Sequence, residues 1–173
     1  MLYRLTADDL ARLAAPTPIG EMPVWWSPAV AFPPGYERHP LSLPVNIGHH
    51  LAFLGYELAN ARLRPGDELQ LLTFWRVERP FEPPLALFVH LLDAGGQVRS
   101  QHDGLSVDPV GMRSGDIFVQ GHRFPTPSDM PFGEYQLEIG VYRPNTMQRW
   151  SVYKDADAVA DRLLLHPVSI AVE

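Results

Sequence analysis

Eight of the eighteen prolines in this 173-residue chain lie between residues 16 and 44. Proline lacks a backbone donor and clashes with the preceding turn, so no helix or central strand can run through such a segment. Residues 16–46 are therefore expected to be an extended strap, with Trp25 and Trp26 in its middle. The other prolines, with most of the thirteen glycines, punctuate the rest of the chain at short intervals. That spacing excludes a helical bundle and points to many short strands joined by turns.

One helix is expected, over residues 5–14. Thr6 is a good N-cap, Asp8 and Asp9 stand in the first turn, and Leu10 and Leu13 share a face. Pro16 and Pro18 stop it.

From residue 47 the periodicity becomes two. Residues 51–58 are largely apolar, and Leu69, Leu71, Thr73, Trp75 and Val77 alternate onto one face. Leu72 and Phe74 fall on the opposite face, which predicts burial on both sides and a central strand. Residues 85–92 read as a buried strand. Asp93-Ala-Gly-Gly96 reads as the hairpin turn that follows it. Leu137, Ile139 and Val141 alternate, Arg143-Pro-Asn-Thr146 turns, and Leu164, Val168, Ile170 and Val172 close the chain. About eight to ten strands without interleaved helices predict an all-β antiparallel sandwich, immunoglobulin-like or jelly-roll. The expected division is 1–46, helix and strap, and 47–173, sandwich. Tyr135, after a Pro-x-Gly turn, is placed as a corner tyrosine bonding a backbone group.

Charge and composition exclude several functions. The formal net charge is −6 and no Lys/Arg run occurs, so nucleic acid and anionic membrane surfaces are poor partners. The absence of cysteine removes disulfides, thiolate metal sites and cysteine nucleophiles. No apolar stretch is long enough to span a bilayer, and Arg4, Asp8 and Asp9 interrupt any signal-peptide core.

Leu54-Gly-Tyr56, Leu63-Arg-Pro-Gly-Asp67, Leu72-Thr-Phe-Trp75, Phe88-Val-His-Leu-Leu-Asp93, Gln101-His-Asp-Gly104, Pro131-Phe-Gly-Glu-Tyr135 and Gly140-Val-Tyr142 follow one another in order. Together, over residues 47–172, they resemble the extracytoplasmic β-sandwich domain appended to bacterial membrane proteins of the family 39 glycosyltransferase-like class. That class includes the dolichyl-phosphate-mannose-protein mannosyltransferases. The resemblance implies a non-catalytic accessory domain on the extracytoplasmic side, with a membrane-embedded glycosyltransferase-like partner. The catalytic carboxylates of such proteins lie in the membrane part.

The residues themselves offer two further readings. In the first, aromatic faces stack on sugar rings, as in a carbohydrate-binding module. Trp25, Trp26, Trp150, Tyr142 and Tyr153 are the candidates, while Trp75 belongs to packing. In the second, weaker reading, His90, His102 and Asp103 flank the 93–96 hairpin and form the metal or acid–base site of a small hydrolase. His90 sits in an apolar run, which favours a hydrogen-bonded structural histidine. His49 and His50 are adjacent and point to opposite faces. Asp155, Asp157 and Asp161 lack calcium-loop spacing and read as a solvated loop or a helix start. Nothing singles out a glycosidase pair among Glu57, Glu68, Glu134 and Glu138. No nucleophile elbow or phosphate loop occurs, and no cofactor is implied.

Overall fold

The computed structural model describes Trp25–Trp26 and residues 39–172. Within these residues the chain is all-β, and its strands form two sheets. The helix expected over residues 5–14 lies outside the described residues, as does most of the Pro-rich segment.

One sheet, here sheet A, is built on the long strand β10 (Gly133–Arg143). On one side β10 pairs with β7 (Ala86–Leu92), which pairs with the edge strand β8 (Val98–Gly104). Its other side is shared by three short strands: β15 (Val168–Ile170), β14 (Leu163–Leu164) and β11 (Gln148–Arg149). β15 also pairs in parallel with β5 (Arg62–Leu63). β14 continues to β1 (Trp25–Trp26), and β1 to β2 (His39–Pro40). Part of the Pro-rich segment thus enters the sheet as two short strands, where few ladder donors are needed.

Sheet B has the order β13 (Asp157–Ala160), β12 (Val152–Lys154), β3 (Val45–Ile47), β4 (Leu51–Leu58), β6 (Glu68–Val77), β9 (Ile117–Pro125). The central placement expected for residues 69–77 holds, since β6 lies between β4 and β9. Leu69, Leu71, Trp75 and Val77 face inward and meet Leu87, Val89, Leu91, Leu137, Ile139 and Val141 from sheet A. Leu72 departs from its expected burial and is 42% exposed.

The turns follow their side-chain chemistry. The Asp93 carboxylate accepts from the backbone N–H of Gly95 and of Gln97, and Gly96 N–H closes on the Asp93 carbonyl. Asp67 does the same for the 64–67 turn by accepting from Arg64 N–H at 2.8 Å. The Tyr135 hydroxyl donates to the Pro131 carbonyl at 2.8 Å, the corner role expected of it. Asp155 sits with positive φ in the turn between β12 and β13, so the acidic 155–161 stretch is a hairpin rather than a helix start.

Candidate functional site

The outward faces of both sheets carry chemistry. On sheet A, the period of two turns Phe88, His90, Gln101, Asp103, Glu138, Gly140 and Tyr142 away from the core. Glu138 stands opposite His90, and His90 opposite Gln101. Gly140, Phe88 and Asp103 form the next row. Backbone register extends the Glu138 row through Leu164 to Trp25.

Glu138 is the hub of this face, and it is 1% exposed. His90 Nδ1 lies 2.9 Å from the Glu138 carboxylate and its Nε2 lies 3.2 Å from Asp103. Arg162 reaches Glu138 at 2.8 Å and Arg149 reaches it at 3.3 Å. Both arginines also approach Asp161, Arg162 at 2.8 Å and Arg149 at 3.8 Å. Burial alone would raise the Glu138 carboxyl. The His90 hydrogen bond and the two guanidinium charges outweigh it and bring the pKa down to about 2. Tyr142 donates to the second Asp103 oxygen at 3.1 Å, and its pKa is raised by burial and by that carboxylate. Arg149 lies 4.3 Å over the Phe88 ring. Gly140 makes room for that ring, because a β-carbon there would sit 2.4 Å from Phe88 Cζ.

His102 does not join this cluster. It pairs with Val89 rather than His90, and neighbours in a strand face opposite ways. It turns inward instead and meets His122 of β9, Nδ1 to Nδ1, at 3.1 Å. The trio His90, His102 and Asp103 is thus split: His90 and Asp103 meet, and His102 lies on the other face. No group of three or more His, Asp or Glu side chains placed to hold a metal occurs among the described residues.

The expected sugar platforms are also dispersed. Trp150 is 9% exposed and packs between His50, Phe81 and the open side of Gly48. Tyr153 is half-buried and lies against the His49 ring at 3.8 Å between centroids. Tyr142 is half-buried beside Asp103. The backbone of Trp25 and Trp26 is in β1, and their side chains lie outside the described residues.

Sheet B offers a concavity that sequence reasoning missed. A trough of about 780 Å³ crosses β4, β6 and β9 on the solvent side. Glu57, Leu72 and Gly121 make one row of it, and Ala59, Gln70 and Arg123 make the next. Leu72 forms an apolar floor. Gly121 and Ala59 leave its walls low, while Glu57, Gln70 and Arg123 ring it with planar polar groups. Glu68 fixes two of these: its Oε1 accepts from Gln70 at 2.9 Å and from Arg123 at 3.0 Å. The available signal was an apolar residue at an outward position of a strand whose neighbours there are Glu68 and Gln70. In sequence that pattern reads equally as double-sided burial.

No family model matches the chain, and no curated protein matches it in sequence. The likeness is to solved structures. The crystal structure of the C-terminal domain of wzt superposes with a TM-score of 0.50 at 14% identity, covering 92% of this chain and 84% of that one. At that identity the match speaks for the fold. It supports the all-β sandwich and carries no link to the family 39 glycosyltransferase class.

Proposed function

We propose that this chain is a non-catalytic β-sandwich module that binds carbohydrate in the trough across β4, β6 and β9. The carrying observation is the composition of that trough. An exposed leucine floor suits the C–H face of a sugar ring. The carboxylate, amide and guanidinium around it supply the acceptors and donors that hydroxyl groups need. Its volume falls within the range of small-ligand sites, about 300–1,000 Å³. The sandwich likeness supports a module of this kind through its fold. The polar cluster of sheet A is closed on itself by ion pairs around a buried Glu138, which favours a structural part for it. The wider role of an extracytoplasmic accessory domain beside a membrane glycosyltransferase-like partner rests on the resemblance of residues 47–172 alone.

Glycan-array screening tests this reading. The wild-type chain is expected to retain a subset of glycans, and Leu72→Asp and Arg123→Ala are expected to lose them. Absence of any retained glycan, or retention unchanged in both variants, overturns it.

A further inference from the structure

The two sheets approach each other along one open side of the sandwich, where edge strand β8 of sheet A runs beside edge strand β9 of sheet B. His102 and His122 meet there. Their Nδ1 atoms are 3.1 Å apart and their rings stand at 86°. His122 is 1% exposed, and its Nε2 lies 3.1 Å from Thr73 Oγ1. That hydroxyl already accepts from Trp75 Nε1 at 2.8 Å and reaches the Gln120 carbonyl at 3.3 Å. With its hydrogen directed to Gln120, Thr73 accepts from His122 Nε2–H. The lone pair of His122 then lies on Nδ1, aimed at His102.

We propose that His102 and His122 form a two-imidazole binding site for a late first-row divalent transition ion, zinc or copper, with water completing the coordination. Zinc–imidazole bonds of about 2.0–2.1 Å at angles between a right angle and tetrahedral place two nitrogens about 2.9–3.4 Å apart. The observed separation falls inside that interval, so the rings need little movement to exchange a hydrogen bond for a shared ion. The Thr73 contact is the kind of outer partner that fixes the tautomer and ring angle of a metal-bound histidine. Gly104 points to the same side of β8 as His102, and a β-carbon there would meet nothing within 4 Å. The strand is open on that side. Imidazole suits zinc and copper better than calcium or magnesium, which require oxygen ligands. His122 also borders the trough through its place in β9, but the metal proposal does not depend on sugar binding there.

Isothermal titration of the untagged full chain with zinc chloride and with copper sulfate at neutral pH tests the proposal. One ion per chain is expected to bind. His102→Ala is expected to weaken it about tenfold or more. His102 is half-buried at the edge, so this variant keeps the core intact. His122→Gln, which retains a polar group toward Thr73, is expected to do the same. Electron paramagnetic resonance of the copper form is expected to show two nitrogen ligands in the wild type and fewer in each variant. No binding by the wild type, or binding undiminished in His102→Ala, overturns the proposal.

Discussion

Leu72 and Gly121 stand opposite each other on the solvent side of β6 and β9, and a β-carbon on residue 121 would lie 3.8 Å from Leu72 Cδ2. That is ordinary van der Waals contact, so a side chain fits there without strain. Gly121→Phe is therefore expected to fold with a stability change within about 1 kcal/mol, as an aromatic suits an exposed strand position. Its ring would fill the trough, and saccharide binding is expected to fall below detection. Urea unfolding and calorimetric titration together check both halves.

Glu138 sits among His90, Arg149 and Arg162 with its pKa at about 2, below the ordinary 4.5. A depressed carboxylate contributes stability that is present above the unfolded value and is lost as pH falls through the folded one. The chain is therefore expected to lose about 3 kcal/mol from this group between pH ~4.5 and ~2. Glu138→Gln leaves two buried or half-buried guanidinium groups, Arg149 and Arg162, around a neutral amide. At neutral pH it is expected to cost about 3–5 kcal/mol, and its stability profile is expected to be flatter through that acid window. Urea midpoints measured across the range check both expectations.

The corner bond from Tyr135 to Pro131 is a single neutral hydrogen bond between a side chain and the backbone. Tyr135→Phe keeps the ring and removes only that donor. A loss of about 1 kcal/mol is expected in equilibrium unfolding, with no effect on glycan or metal binding.

These three sites differ in how far they could be read from sequence, and the reasons are physical. Tyr135 lies four residues after its acceptor, so local turn chemistry was enough to place it. The inward row of Leu69, Leu71, Thr73, Trp75 and Val77 was likewise legible, because a strand's period of two needs only its own residues. The hub around Glu138 joins residues from β7, β8, β10, β11 and the β14 flank that are up to 72 positions apart, from His90 to Arg162. No local pattern encodes such a meeting. His102 went to the opposite face from His90 because the 93–97 turn sets the β7–β8 register, and a one-residue offset reverses a side chain. Trp150 follows the 143–146 turn, where nothing local in the sequence signals its burial. Gly48, with positive φ and no β-carbon, opens the slot that buries it, and that glycine lies far away in sequence.

Gly140 provides a further check on the sheet A face. A methyl group there would sit 2.4 Å from Phe88 Cζ and 3.2 Å from the Asp161 carbonyl oxygen. Gly140→Ala is expected to destabilise by about 1–3 kcal/mol through overpacking. Adding Phe88→Leu relieves the larger clash, so the double variant is expected to be more stable than the sum of the two single losses implies. Thermal unfolding of the four-member cycle measures that coupling.

The trough reading is tested most directly by titrating the isotope-labelled chain with a saccharide retained on the array and following backbone amide shifts. Shifts are expected to concentrate at residues 57–59, 70–72 and 121–123 across β4, β6 and β9, with little change at Asp103 and Tyr142. Shifts centred on Asp103, Tyr142 and their neighbours in sheet A, with the trough amides unmoved, would contradict it.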